Sequence, residues 1–440
     1  MTEHTAIARR LRAYYEGLIT LKEDRTTYIK AQDVLSNYET LCELLKAHEE
    51  QFGEYEASDM DGNGTESEDQ LESERLLHDC FLLISLFYLT IGKNNEPPAT
   101  FARCAVIKRL LVHLRESDNF AHKDLEPIHK TLKQCKETVS RHGSTADLRM
   151  IRVLDSKVNQ CLETIKPLQT KLDEIPLPLR AVHTKLVSLR RSIKGVEGRK
   201  KGRFSESDVK ALLEQIKSID AARVDGRFVG DDGNVTDQGQ AQVAQLLERS
   251  YATADDALKR QGAIAEGLTH FSDKLYGIKH KLEKLELTQA WSLRETDLYD
   301  FFVIITTIDN RRVDRKFLAD DGTAPEEGQS ILLYLVRRAY AHVYILITSS
   351  EAVSEALTPI FNQLQTVRRC LKEVAKFGIS DARELYPYSM KLSSIDNMRI
   401  DGKFMVGNDC PEGQGRVASL LAECFEICQE LRENKQAESD

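Results

Sequence analysis

The chain has 440 residues, of which 41% are hydrophobic and 30% charged, so its composition is typical of a folded globular protein. Its formal net charge of −9 argues against extensive nucleic-acid binding, which usually requires a dominant basic field. Ten prolines and 23 glycines are few for this length, which favours long helices with short connections over a sheet-rich fold.

Residues 1–120 are predicted to form a diverged helical unit. Apolar residues recur at helical spacing between positions 11 and 22, which predicts a first helix. The apolar run 81–91 predicts a buried second helix, and 105–114 a third, with the loop 93–101 between them. A bilayer-spanning helix needs about 20 apolar residues, so this run predicts a core helix and no membrane segment.

The first residues lack the basic-then-apolar order of a secretory signal. The nine cysteines are scattered, with no Cys-x-x-Cys pair, and are expected to be free thiols in a reducing compartment. We therefore expect a cytoplasmic protein, with the nucleus as an additional location.

Residues 58–73 are acidic and polar, and they are predicted to form a mobile loop. The run Asp59 to Thr65 matches the first seven positions of a calcium-binding EF-hand loop. The match then fails, because Glu66 replaces an aliphatic residue and Gln70 replaces the bidentate glutamate. We expect a solvated acidic loop and no bound metal.

Residues 121–175 are predicted to be a partial helical unit, because positions 125–136 repeat the apolar spacing of the first helix. This segment has no further motif.

One pattern recurs three times in the rest of the chain. Its core is the signature Ile-Asp-x-x-Arg-(Val/Ile)-Asp-x-(Arg/Lys)-Phe, which begins at Ile219, Ile308 and Ile395, at spacings of 89 and 87 residues. A Gly-Gln pair follows each signature after a short polar loop. A leucine-containing anchor upstream recurs at the same 89-residue period, which indicates a tandem repeat.

Each repeat is predicted to contain three helices, the second ending at Ile-Asp and the third opened by Gly-Gln. In the middle copy, Ile331, Leu335 and Ala339 fall on one helical face, while Arg337 and Arg338 lie off it. The predicted fold is all-α, with tandem three-helix units of about 87–89 residues packed as an extended helical-bundle array. The predicted units are 176–262, 263–350 and 351–434, followed by a frayed tail at 435–440.

The signature residues allow a structural interpretation. The short Asp carboxylates can hold a turn through backbone N–H groups, the Arg fork suits a carboxylate or helix-end carbonyls, and the Phe can fill the core. Repetition in three copies favours this role of a joint between helices. The structural set is Asp220, Asp225, Phe228, Asp309, Asp314, Phe317, Asp396, Asp401 and Phe404.

An alternative interpretation is anion binding. The loop cations lie beside a helix N-terminus, where free N–H groups and the helix dipole favour negative charge, so a phosphorylated metabolite or phosphopeptide would fit. The candidate residues are Arg223, Arg227, Arg312, Arg315, Lys316, Arg399, Lys403, Gln240, Gln329 and Gln414.

The remaining chemistry is sparse. The run Arg199–Arg203, with basic residues on the preceding helix, is the one concentrated positive patch, and it could contact nucleic acid or act as a nuclear-import signal. A solvated linker is the plainer interpretation. No phosphate-binding loop, nucleophile elbow, zinc-protease or dinucleotide motif occurs, so we predict no catalytic residue, metal or cofactor.

With three signatures followed by Gly-Gln, the sequence resembles a fungal protein family classed as a domain of unknown function. The resemblance spans most of the chain and is strongest from about Leu179 to Gln429. It implies a fungal source and a cytoplasmic or nuclear location, and it carries no functional residues.

The leading functional prediction is a non-enzymatic helical scaffold or adaptor for unknown protein partners, because the chain combines a repeat architecture with no catalytic motif. The alternatives are the binding of a phosphorylated ligand at the signature loops and an enzyme whose site lies between repeats.

Overall fold

The computed structural model describes residues 4–55, 67–141, 147–199, 202–288 and 293–437. Across these ranges the chain forms fifteen α-helices and two short β-hairpins, which confirms the predicted all-α class. The first six helices, which precede the repeats, are α1 His4–Glu23, α2 Ala31–Phe52, α3 Glu68–Thr90, α4 Thr100–Ser117, α5 His122–Arg141 and α6 Leu148–Asp173.

The repeats have three helices each, as predicted, and a signature loop joins the second helix to the third. The first and third helices of a repeat pack along each other. Repeat 1 contains α7 Arg180–Glu197, α8 Glu206–Ala221 and α9 Gln240–Arg260; repeat 2 contains α10 Glu266–Thr288, α11 Leu298–Asp309 and α12 Gln329–Thr348; repeat 3 contains α13 Thr358–Phe377, α14 Tyr386–Asp396 and α15 Gln414–Ala437.

Several predicted boundaries are wrong. The acidic loop does not extend to residue 73, because Ser67 accepts a hydrogen bond from the Gln70 N–H and so starts α3 at Glu68. The loop predicted at 93–101 ends in a 3-10 turn and the first residues of α4. The tail predicted to fray after residue 434 stays helical through Ala437. Asp59 to Thr65 of the EF-hand-like run lie outside the described residues.

The Gly-Gln pair has the same two roles in every repeat. The glycine before each third helix has a left-handed φ of 80°, 95° or 98°. A Cβ at Gly328 would lie 2.9 Å from Ile264 Cγ2, in the segment that leads into the first helix of the same repeat. The glycine therefore allows the third helix to begin close to the start of the first.

The glutamine then closes the signature loop. The amide oxygen of Gln329 accepts from the Phe317 N–H at 2.7 Å, and its amide nitrogen donates to the Phe317 and Pro325 carbonyls at 2.9 and 2.8 Å. The same three kinds of bond form at Gln240 and at Gln414. These bonds fix both ends of the loop.

Each signature loop contains a tight reverse turn. Asp225, Asp314 and Asp401 all have φ of 49°, and the residue after each also has positive φ, as in a type I′ turn. The turn closes strands β1 Arg312–Val313 and β2 Lys316–Phe317 in repeat 2, and β3 Arg399–Ile400 and β4 Lys403–Phe404 in repeat 3. Asp tolerates this left-handed conformation better than most residues.

Two hydrophobic cores are present in the described chain. One is continuous from Ile7 to Ile347 and includes the N-terminal helices with repeats 1 and 2, whereas the other lies within repeat 3. The domain boundaries given above stay predictions. Helix α12 is long and apolar enough to cross a membrane, but about half of its apolar window (56%) is buried inside the protein, as expected of a core helix.

Repeat 3 is joined to the rest by a buried ion pair. The Arg294 guanidinium donates to both Glu355 carboxylate oxygens, at 2.5 and 2.8 Å, and also to the backbone carbonyls of Asp24 and Thr27. The pair therefore connects repeat 2 and repeat 3 with the first six helices, α1 to α6, which we call the N-terminal unit.

Replacing Gly328 by alanine should lower the free energy of unfolding by about 1–3 kcal/mol, because a side chain would be held at positive φ and against Ile264. Gly277→Ala, in the middle of α10 with open space around the added Cβ, should instead stabilise by about 0.5–1 kcal/mol. Urea unfolding followed by circular dichroism measures both. Equal effects of the two substitutions would refute the role assigned to Gly328.

Candidate functional site

The three signature loops share one local ion pair. The leading Asp, at the end of the second helix, pairs with the Arg three residues later, at 2.9 Å in Asp220–Arg223 and 3.1 Å in Asp309–Arg312. Asp396 and Arg399 form the same pair. The guanidinium of Arg312 also lies over the Phe317 ring, 5.6 Å from its centre.

A tyrosine of the third helix completes the pair in two copies. Tyr251 donates to Asp220 at 3.1 Å, and Tyr340 donates to Asp309 at 3.3 Å. Phe425 occupies this position in repeat 3 and has no hydroxyl, so the Asp396 carboxylate lacks this hydrogen bond.

Most of the predicted anion-binding groups are engaged within their own loops. Arg223 also donates to the Gly226 carbonyl, Arg227 pairs with Asp237 at 2.7 Å, and Lys316 pairs with Glu326 at 2.5 Å. The three glutamine amides hold the loop ends, as described above. Arg315 and Lys403 are exposed at the turns. Anion binding by these loops stays a prediction.

The middle signature is buried against the N-terminal unit. The Asp309 carboxylate lies 2.9 Å from His113 Nε2 of α4, and Arg312 pairs with Glu116 of the same helix at 2.5 Å. Only 5% of the Asp309 side chain and 9% of the Arg312 side chain are exposed. Helix α4 therefore meets both members of the signature pair with two residues that are three positions apart.

Burial raises the pKa of Asp309, but hydrogen bonds and positive charge from His113 and Arg312 outweigh it and bring the pKa to about 2. The carboxylate is therefore held ionised inside the protein. Removing one partner of such a buried ion pair strongly destabilises a protein, because the other partner is left as an uncompensated charge.

Helix α11 continues this interface. The Tyr299 hydroxyl lies 3.0 Å from that of Tyr15 in α1, and Asp300 pairs with Lys22 of α1 at 2.9 Å. Tyr299 is only 3% exposed. The outer face of the second helix and the adjoining signature thus form one docking surface in repeat 2, and the N-terminal unit covers it.

The equivalent surface of repeat 3 is open and apolar. Tyr386 aligns with Tyr299 and is 64% exposed, and Met390 aligns with Val303 and is 54% exposed. Met398 and Ile400 of the signature are 54% and 61% exposed. We call these four residues the repeat 3 face.

The same positions in repeat 1 are exposed, and those on the helix are charged. Lys210 and Glu214 occupy the places of Tyr386 and Met390, with Ala222 and Val224 in the signature. Repeat 1 therefore shows what a solvated copy of the helix face looks like. Against it, Tyr386 and Met390 of repeat 3 are unusual, since large exposed apolar clusters often mark interaction sites.

The repeat 3 face has no motif of its own in the sequence. The outward positions of the second helices, where Tyr299, Tyr386 and Lys210 align, lie outside the shared signature. Even with that alignment, covered and open copies could not have been distinguished, because the cover comes from α1 and α4, far away in the chain.

The other predicted features offer less. Arg199 of the basic linker pairs with Asp208 at 2.6 Å, and residues 200–201 lie outside the described part of the chain. In the described ranges, no three or more His, Cys, Asp or Glu side chains are grouped to hold a metal ion.

Comparison with known proteins confirms the predicted family resemblance. Residues 172–295 and 350–440 match the family described as Protein of unknown function (DUF2408). The chain is 34% identical to a CUB1 family protein of Schizosaccharomyces pombe, over 98% of this chain and 93% of that one. It is 33% identical to the Cu(2+) suppressing and bleomycin sensitive protein 1 of Saccharomyces cerevisiae, over 98% of this chain and 90% of the relative. No solved structure matches significantly.

Arg312→Ala should destabilise the protein by about 3–5 kcal/mol, because it leaves Asp309 and Glu116 buried without their partner. Arg399→Ala is the matched control in repeat 3, where the pair is 30% and 37% exposed, and it should cost less than about 1 kcal/mol. Urea unfolding of both variants measures the difference. Comparable losses of unfolding free energy in the two variants would show that burial does not strengthen the ion pair of repeat 2.

The pKa of Asp309 predicts a pH dependence. Its folded-state pKa of about 2 is below its ordinary value of 3.8, so its stabilisation is full above about pH 4 and is lost as the pH falls towards 2. The stability difference between wild type and Asp309→Asn should therefore shrink by about 2 kcal/mol across that interval. A constant difference for Asp309→Asn would contradict the assignment.

Proposed function

We propose that this chain, which belongs to the CUB1 family, is a non-enzymatic helical adaptor that docks a helix of a protein partner on its repeat 3 face. The N-terminal unit and repeats 1 and 2 share one core and act as a rigid body that presents repeat 3. The location that we propose is the cytoplasm, with the nucleus in addition.

One observation carries the proposal. The outer face of the second helix, which α1 covers in repeat 2, recurs uncovered in repeat 3 with Tyr386 and Met390 exposed, whereas the signature positions of Met398 and Ile400 are exposed in both copies. A tyrosine that is 3% exposed in one copy is 64% exposed in the other. Burying the four residues of the repeat 3 face against a helix would contribute several kcal/mol, on the order of 1.5–3 per fully buried large side chain.

The covered copy indicates the chemistry of the partner. In repeat 2, α4 places Glu116 on Arg312 and His113 on Asp309. Helix α1 covers the second helix beside them and buries Tyr299. Arg399 and Asp396 have the same geometry and are 30% and 37% exposed. We infer that the partner segment is an amphipathic helix with a carboxylate facing Arg399 and an apolar stripe facing Tyr386 and Met390.

The name of the S. cerevisiae relative refers to Cu(2+) and to bleomycin. We propose these two stresses as the cellular conditions under which to assay the adaptor. A Met390→Asp variant should behave as a loss of function there while folding normally, because Met390 is exposed and its side chain is outside the core.

A photoreactive amino acid at position 390 tests the docking directly. In cells, it should cross-link to a defined protein, through a peptide that forms a helix and contains Asp or Glu. The same reactive group at position 214, the exposed equivalent in repeat 1, is the matched control and should give no such product. Arg399→Glu should abolish the cross-link by reversing the charge that meets the partner carboxylate.

Three results would overturn the adaptor proposal. They are equal cross-linking from positions 390 and 214, a product that survives Arg399→Glu, and a cross-link to a second copy of this chain. The last result would make the repeat 3 face a self-association surface.

A further inference from the structure

A second surface feature, separate from the repeat 3 face, is a half-open cavity of about 760 Å³. Its walls come from the ends of α4 and α5, from α7 and from α12, so the N-terminal unit meets repeats 1 and 2 there. Its volume lies in the range that small-ligand sites usually occupy, about 300–1,000 Å³.

The cavity wall is strongly basic. Two carboxylates lie among its lining side chains, and both are already paired. Glu116 pairs with Arg312, and Asp124 accepts hydrogen bonds from Nη1 and Nη2 of Arg191. Six cations line it: Lys123, Arg190, Arg191, Lys194, Arg338 and Arg337. Lys194 also pairs with Glu197 at 2.7 Å, so the excess of positive charge at the wall comes from Lys123, Arg190, Arg337 and Arg338.

Arg337 stands out within this group. Its Nε and Nη2 atoms are buried, and neither has a hydrogen-bond partner among the described residues. Its pKa is lowered to about 10, chiefly by burial and also by the charges of Arg312 and Arg190, which outweigh the opposing effect of Glu116. Arg337 as a whole is half-buried, but burying these two donors without partners is costly in the free protein, and a bound anion would remove that cost.

The repeat architecture does not require this arginine. The equivalent positions on the third helices of repeats 1 and 3 are Glu248 and Ala422. Its glycine neighbours also shape the site: a Cβ at Gly195, which lines the cavity, would lie 3.1 Å from the Tyr334 hydroxyl, and one at Gly198 would lie 2.7 Å from its ring. The close approach of α7 and α12 beside the cavity thus depends on two glycines.

The other half of the lining is apolar. Leu110, Leu114 and Ile128 face the cavity from the N-terminal unit, and Leu333 and Ile345 face it from α12. A ligand that fills the whole space must therefore combine a negative group with an apolar or aromatic body.

We propose that this cavity binds a phosphate monoester attached to an apolar body, with the Arg337 guanidinium holding the phosphate. The planar fork of an arginine suits the bidentate recognition of phosphate oxygens. Arg190 adds positive charge on the α7 side, and the apolar residues contact the rest of the ligand. The site differs from the signature loops, where Arg223, Arg227 and Lys316 are paired within the loop.

Isothermal titration of the full chain with 1-naphthyl phosphate tests the proposal, with inorganic phosphate and 1-naphthol as the two halves of that probe. We expect 1-naphthyl phosphate to bind at least about tenfold more tightly than inorganic phosphate, because it also buries apolar area. We expect no binding of 1-naphthol, which lacks the charge.

Arg337→Leu should weaken 1-naphthyl phosphate binding at least about tenfold and should raise the melting temperature of the free protein, because it removes two donors that are buried without hydrogen-bond partners. A purely structural arginine would do the opposite to the melting temperature. Lys123→Glu, at the exposed rim of the cavity, should also weaken binding without touching the core. Arg227→Gln, in the repeat 1 loop, is the matched control and should leave the affinity unchanged.

The proposal fails if wild type does not bind 1-naphthyl phosphate, or if Arg337→Leu and Lys123→Glu both bind it as wild type does. Equal affinity for inorganic phosphate would refute the apolar half of the site, and loss of binding in Arg227→Gln alone would place the site in the loop.

Co-sedimentation with phosphatidylcholine vesicles, with and without phosphatidate, identifies the source of the phosphate. Sedimentation that depends on both phosphatidate and Arg337 supports a lipid ligand, and its absence beside tight binding of the soluble probe supports a soluble metabolite. Cross-linking from position 390 should be the same in Arg337→Leu, so the cavity and the adaptor surface can fail independently.

Discussion

The pair formed by the leading Asp and the Arg three residues later is the interaction on which the rest of this structure depends. It lies where the second helix ends, and the glutamine amide that closes the loop holds it in the same position in every repeat. A pair fixed at a helix end can form further hydrogen bonds and ion pairs with another segment, and we call this pair the attachment point of its repeat. The three repeats differ in which segment contacts it.

In repeat 2 the attachment point is used within the chain. His113 and Glu116 of α4 cover it, and α1 covers the adjoining helix through Tyr15 and Lys22. The contacts join segments nearly 200 to 300 residues apart in sequence, and they place α12 against the N-terminal unit. The same docking creates the basic cavity, since Arg337 belongs to α12 and Glu116 to α4. The packing of the N-terminal unit against repeats 1 and 2 therefore also forms the cavity.

Repeat 1 and repeat 3 leave the attachment point open, and their surfaces have diverged in opposite directions. Lys210 and Glu214 make the outer face of α8 a solvated surface, whereas Tyr386 and Met390 keep an apolar face on α14. Repeat 3 also has its own core and contacts the rest of the protein near Arg294 and Glu355. A module with a separate core can present a surface without disturbing the fold of the rest.

The local elements were determined by the sequence. Periodicity and the triplicated signature predicted the three helices of each repeat, because side chains at a 3.6-residue period and a glycine with positive φ act within a few residues. Helices α2 and α6 were missed, since neither resembles a repeat helix in its motif, and the extent of the acidic loop was wrong because the Ser67 cap was overlooked. Tertiary structure alone decided which signature is buried. Arg312 and Arg399 occupy the same motif, but only Arg312 meets Glu116. Arg337 lies off the apolar face of its own helix, yet two of its guanidinium nitrogens are buried where the N-terminal unit packs beside it. Burial and charge pairing of these arginines depend on helices far away in the chain, which no local pattern encodes.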